Sequence, residues 1–406
     1  MRYLGSLLLV CLCCLSCSNP GQGSLTEGYW LARLEVQDGE VLPFNFNLKK
    51  DNGQYALEIY NADEVIKVHE VKVKNDSIVI QMPVFEGYIK GKYNDTVING
   101  EFIIESLNRV VPFSATYGER TRFKTQQEPL VNVSGIWKTE FSPDTPNGYL
   151  GKGIFTQDGS KVTGTFRTTT GDYRFLEGVM DGDTMKISAF DGSHAFLFTA
   201  KVSDSTLEGT FYSGNHYQEP FFARRNEYFE LPDPDSLTYL KPGHEKLAFT
   251  FPDTEGNPVS LEDDQFKNKA VIVQIMGTWC PNCLDETKFL VNYHAENPQL
   301  DVAIVALAFE YSKTEEQALQ RIDRLKDAIG VQYPILLAQY GSSSKIEAHR
   351  KLPMLNHIIS YPTTIFVDKK GAVRKISTGF NGPATGEKYE SFKKDFDAFV
   401  KQLASE

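Results

Sequence analysis

The sequence predicts two repeated all-β units followed by an α/β domain whose mixed sheet is flanked by helices. Three observations predict this. Residues 25–225 run in short stretches that alternate apolar and polar side chains, the period of half-buried strands. Within that region the same anchors recur at a nearly constant offset. After a proline-rich stretch at residues 230–236 the pattern changes to unbroken apolar runs separated by helical stripes.

Phe44-Asn45-Phe46-Asn47-Leu48, Ser77-Ile78-Val79-Ile80 and Val162-Thr163-Gly164-Thr165-Phe166 show the alternation. Turn signals such as Asp51-Asn52-Gly53 and Asp158-Gly159-Ser160 separate such runs. Gly28-Tyr29-Trp30 and Gly135-Ile136-Trp137 lie 107 residues apart, as do Asp76-Ser77-Ile78 and Asp183-Thr184-Met185. Gly100-Glu101-Phe102 and Gly209-Thr210-Phe211 are offset by 109, and Pro112-Phe113 and Pro220-Phe221 by 108. These anchors set one unit at residues 25–118 and its repeat at 130–225, each barrel-like or a sandwich. Their aromatic residues are expected to fill the cores. Residues 226–244 read as a linker, and a construction of this kind lets the β units fold alone.

Residues 245–406 form the α/β domain. Residues 270–275 and 302–307 are apolar enough for buried parallel strands. A helix is expected to begin near Pro281. Thr314-Glu315-Glu316-Gln317 is a capping box, Ala318, Ile322, Leu325 and Ile329 form the apolar stripe behind it, and Gly330 stops that helix. Residues 335–337 read as a short strand. Residues 364–367 and 373–377 flank the turn Asp368-Lys369-Lys370-Gly371 as a hairpin. A last helix carries Phe392, Phe396, Phe399 and Leu403 on one face.

The bulk numbers narrow the function. Apolar residues make up 41 % of the 406, enough for packed cores, and the net charge is −11 with no basic stripe, which argues against nucleic-acid binding. Four of the six cysteines crowd the N-terminus at positions 11, 13, 14 and 17, and the other two form Cys280-Pro281-Asn282-Cys283. A disulfide-stapled domain would spread its cysteines. Arg2 followed by the apolar residues 7–15 reads as a signal peptide, too short to span a bilayer. Leu15-Ser16-Cys17 resembles a bacterial lipobox, with Cys14 where an aliphatic residue is usual. Lipidation of Cys17 would anchor the protein to the cell envelope, facing the periplasm.

The C-x-x-C sits where the first buried strand of the α/β domain turns into a helix. Unpaired N–H groups and the positive dipole end there favour an anion, here the thiolate of Cys280. Cys283 lies one turn on, in reach to close a redox-active disulfide with Cys280. A structural zinc site would need four ligands, and the mature chain offers neither another cysteine pair nor a suitable partner for His294. A structural bridge over two residues closes too small a loop to stabilise much.

Gly277-Thr278-Trp279-Cys280-Pro281-Asn282-Cys283 resembles the active site of the extracytoplasmic thioredoxin-like family that includes TlpA and ResA. Phe251-Pro252-Asp253 with Gly256-Asn257-Pro258-Val259-Ser260-Leu261 is similar to that family's leading hairpin. Tyr361-Pro362-Thr363-Thr364-Ile365-Phe366-Val367-Asp368 is similar to its second signature. The resemblance covers about 160 residues and implies a thioredoxin-like fold for residues 245–406. It implies Cys280 and Cys283 as the catalytic dithiol, with Glu286 holding a proton near them. It implies Trp279, Tyr361 and Pro362, the last as a cis-proline, as the substrate face. Gln274 stands six residues before Cys280, where thioredoxin has a buried aspartate. It cannot ionise, which shifts the relay to Glu286. Glu310, at the carboxyl edge of a strand, is a further candidate, and Asp285 is expected to be exposed.

The implied activity is reduction of protein disulfides without metal or organic cofactor, with electrons from a membrane thiol donor. Two alternatives stand beside it. One is a thiol peroxidase, although no Pro-x-x-x-Thr-x-x-Cys motif occurs and Gly277 stands three residues before Cys280. The other is a binding lipoprotein that uses the β repeats and keeps an accessory thiol domain.

Overall fold

The computed structural model describes residues 24–406, so the signal peptide and Cys17 lie outside the described residues. The first unit is a nine-stranded antiparallel meander whose first strand, Gly28–Glu35, pairs with both Val41–Asp51 and the last strand, Arg109–Tyr117. Its free ends are Glu64–Val68 and Val71–Lys74. The second unit starts the same way, Gly135–Phe141 pairing with Tyr149–Asp158 and Tyr217–Arg225, but there Lys161–Thr168, besides its hairpin with Tyr149–Asp158, also pairs with Leu176–Asp181. That extra ladder closes the sheet into a barrel.

The repeat extends to atoms. Trp30 Nε1 donates to the carbonyl of Thr26, four residues back, at 3.0 Å, and Trp137 Nε1 donates to Val133 at 2.8 Å. Gly100 faces Phe113 across the ladder, and Gly209 faces Phe221. At both glycines a Cβ would run into the carbonyl of the neighbouring strand, so the close approach needs a residue without a side chain. The barrel interior is filled by Trp137, Phe141, Phe166, Phe198 and Phe221, with ring centroids of Phe166 and Phe198 4.7 Å apart. These five aromatics are core.

In the C-terminal domain the hairpin Thr250–Pro252 with Pro258–Ser260 precedes a five-stranded sheet. Its order is Ile335–Gln339, Val302–Phe309, Ala270–Met276, Thr363–Val367, Val373–Thr378, the first three parallel and the last two antiparallel. Helices α1 (Pro281–Glu296), α2 (Glu315–Ile329), α3 (Lys345–Lys351) and α4 (Glu387–Ser405) complete it. Thr314 caps α2 by accepting from Gln317 N, and Gly330 ends it in the left-handed region. Helix α4 buries Phe396, Val400 and Leu403. The sequence reading did not include α3, whose seven residues bury only Ala348.

The three parts share contacts. One apolar core runs from the first unit through Phe190, Ala195, Leu197 and Tyr212 of the second into the C-terminal domain. The connecting residues are seated rather than loose. Glu230 pairs with Lys152 and Arg167, Thr238 accepts from Thr378 Oγ1 at 2.9 Å, and Leu240 bridges Leu355. Where the first sheet stays open, Arg324 of α2 donates to Glu70 and to the Met82 carbonyl.

Candidate active site

Strand Ala270–Met276 is buried along its whole length and delivers the chain to Cys280 at the N-cap of α1. Pro281 occupies the first helical position, where its missing N–H costs nothing. Cys280 and Cys283 are joined as a disulfide, their Cα atoms 5.2 Å apart. Cys283 N donates to Cys280 Sγ at 3.2 Å, so the helix end already presents a donor to the sulfur that would carry negative charge. Cys280 keeps 6 % of its surface and Cys283 none.

The Tyr361–Pro362 peptide bond is cis, and Cys280 Sγ lies 3.4 Å from the Tyr361 carbonyl oxygen. Trp279 Nε1 donates to the Phe309 carbonyl at 3.0 Å, and its ring meets Tyr361 edge-on at 5.6 Å. Trp279, Cys280 and Tyr361 line one cleft together; Pro362, just beyond Tyr361, opens the strand Thr363–Val367.

Glu286 is buried one turn after Cys283. Thr364 Oγ1 donates to its Oε1 at 2.6 Å and Gln274 Nε2 to its Oε2 at 2.8 Å. The same Gln274 amide reaches the Cys283 carbonyl at 3.4 Å, and its oxygen accepts from Thr287. Burial pushes the Glu286 carboxyl up to about 7, against the pull of the two hydrogen bonds. Glu310 is also pushed up to about 7 by burial; it accepts from Thr278 N and Thr278 Oγ1, both at 2.7 Å, and so fixes the turn leading into Cys280.

One expectation is corrected. Asp285 is not exposed: its side chain keeps 10 % of its surface because Arg174 of the second β unit pairs with it. Arg174 also pairs with Glu64 and Asp191. Burial alone would lower the guanidinium, but Asp285, Glu64 and Asp191 hold it well above its usual value.

The contribution of the second β unit to this site was missed by sequence reasoning. Asn282 Nδ2 donates to the Asp172 carbonyl at 3.2 Å, Ser193 Oγ to the Trp279 carbonyl at 2.9 Å and Ser360 Oγ to the Thr170 carbonyl at 2.8 Å. Asp172, pushed up to about 6 by burial, accepts from Gly382 N. These partners lie 86 to 210 residues apart, and no local motif marks them.

Residues 241–392 match the family model described as Redoxin. The C-terminal domain is a redoxin domain of a thiol–disulfide oxidoreductase. Thiol-disulfide oxidoreductase ResA of Bacillus subtilis is 26 % identical over 140 residues, 34 % of this chain and 69 % of that protein. Thioredoxin-like protein YneN of the same organism is 25 % identical over 140 residues, 34 % of this chain and 73 % of its own. A solved thiol:disulfide interchange protein of the thioredoxin family from Chlorobium tepidum is 23 % identical, covering 39 % of this chain and 95 % of that one at a TM-score of 0.30. The redoxin domain accounts for the C-x-x-C, and the β units lie outside the match.

Proposed function

We propose that this protein reduces disulfides of other proteins outside the cytoplasm, through a dithiol cycle at Cys280 and Cys283. The observation that carries the reading is the placement of the two sulfurs. Cys280 lies at a helix N-terminus and borders an open cleft beside the Tyr361–Pro362 loop, while Cys283 is fully buried behind it. In the reduced enzyme the Cys280 thiolate attacks one sulfur of a substrate disulfide, and the other sulfur leaves as a thiolate that takes up a proton. The mixed disulfide is then attacked by Cys283, which releases the second substrate thiol and forms the Cys280–Cys283 disulfide. Two electrons have passed to the substrate, and a membrane thiol donor restores the dithiol. Glu286, joined to the Cys283 carbonyl through Gln274, is the group suited to hold the Cys283 proton near neutral pH.

The direction of transfer is set by the potential of the couple. Equilibration with defined glutathione or dithiothreitol mixtures should place it near that of thioredoxin, about −270 mV; a value near −120 mV would make the protein an oxidant. The lipobox-like Leu15-Ser16-Cys17 supports anchoring in the cell envelope through acylated Cys17. Intact-mass analysis of membrane-extracted protein should show a chain that starts at Cys17 and carries acyl mass. An unmodified N-terminus would remove the anchor.

A further inference from the structure

We infer that the second β unit forms half of the substrate site, and that the site takes a disulfide carried on an extended polypeptide segment with an aromatic or large apolar side chain beside the cysteine. This deepens the reading of Cys280 as the attacking sulfur and rests on it.

Cys280 opens onto a cleft of about 430 Å³, within the range of ligand pockets rather than of flat docking faces. One wall is Trp279, Cys280 and Tyr361 of the redoxin domain. The opposite wall is Tyr149, Tyr173, His194 and Phe196 of the second β unit. The far wall is held rigidly. Tyr149 and Tyr173 share a hydrogen bond at 2.6 Å, Tyr149 donates to Glu219, and His194 stacks on Phe196 with centroids 4.5 Å apart.

The backbone of residues 169–172 closes the remaining side. Ser360 beside the cis-proline and Asn282 inside the C-x-x-C are both bonded to it. Gly379 is in contact with it so closely that a Cβ there would lie 2.8 Å from the Thr170 carbonyl carbon. Gly171, at φ +140°, has no room for a Cβ against the Asn282 amide. A globular surface therefore cannot lie flat across Asn282, Ser360 and Gly379. A substrate must enter edge-on between the two walls, as a chain segment can. The lining carries the rings of Tyr149, Tyr173, His194, Phe196, Trp279 and Tyr361 against a single lysine, Lys345, so a ring or large apolar group is favoured there, while a carboxylate loses its hydration and finds one cation in return.

The test uses the full-length protein, kept reduced during turnover by dithiothreitol, whose direct reaction with each probe is subtracted. Its probes are a short unstructured peptide whose single cysteine is a mixed disulfide with 2-mercaptoethanol, made with Phe or with Asp beside the cysteine, and native insulin. The expected kcat/KM is about tenfold higher for the Phe peptide than for the Asp peptide, and higher for either peptide than for native insulin. Thr169→Trp, which places bulk in the cleft from the β-unit side, should raise KM for the Phe peptide severalfold, and Phe196→Ala should shrink the Phe-to-Asp ratio. Equal kcat/KM values for all three probes, or a KM and a ratio that both variants leave as they were, overturn the inference alone. No reduction of any probe by the wild-type protein overturns the dithiol reading and this inference with it.

Discussion

Glu286 carries a carboxyl that burial holds near 7, about the pH at which a thiol must give up its proton. Its folded value lies above the ordinary 4.5, so the fold favours the protonated form. The stabilising contribution is complete below about 4.5 and is lost as pH rises through about 7, a change on the order of 3 kcal/mol. Glu310 behaves in the same direction. Glu286→Gln keeps the shape and removes the charge. Urea titrations of this variant between pH 4.5 and 7 should show a flatter loss of stability than the wild type and a higher stability above 7. Its Cys280 or Cys283 thiol should titrate lower, because a nearby anion disfavours a thiolate. Unchanged thiol titration and an unchanged slope would make Glu286 a filler. At this scale the sequence was legible where chemistry is local: the helix-end position of Cys280, the C-x-x-C spacing and the inability of Gln274 to ionise. It was not legible for Asp285, whose burial depends on an arginine 111 residues upstream.

Among the elements, the segment around Arg174 joins what the chain keeps apart. It follows the edge strand Gly171–Asp172, and its guanidinium ties the second unit to Glu64 of the first and to Asp285 on α1. Removing a buried partner leaves carboxylates without compensation. Arg174→Met should therefore cost about 3–5 kcal/mol at pH 7 by chemical denaturation. A loss below about 1 kcal/mol at pH 7 would show that the cluster is solvated and weak. Strands and long helices were readable because alternation and stripes are properties of short windows. Helix α3 was not, because Lys345-Ile346-Glu347-Ala348-His349-Arg350-Lys351 buries a single residue and leaves no stripe. Barrel closure in the second unit and its absence in the first were likewise unreadable, since both carry the same strand anchors and differ in one ladder, Lys161–Thr168 with Leu176–Asp181.

At the scale of the whole molecule, a continuous core and the seated residues 226–244 pack the β units against the redoxin domain as one body rather than as a tethered appendage. The repeat and the redoxin domain could be read from the sequence because each has internal anchors. Their mutual arrangement could not, because it rests on hydrogen bonds such as Ser360 to Thr170 and Asn282 to Asp172, between side chains and backbone carbonyls that any residue offers. The central claim is that Cys280 attacks and Cys283 resolves. The direct measurement is a single-turnover trapping experiment with full-length Cys280→Ser and Cys283→Ser variants, mixed with a disulfide peptide and followed by intact mass. Cys283→Ser should accumulate a covalent adduct, about one peptide per chain, that dithiothreitol removes, while Cys280→Ser should stay unmodified. Accumulation on Cys280→Ser instead, or on neither variant, would contradict the account.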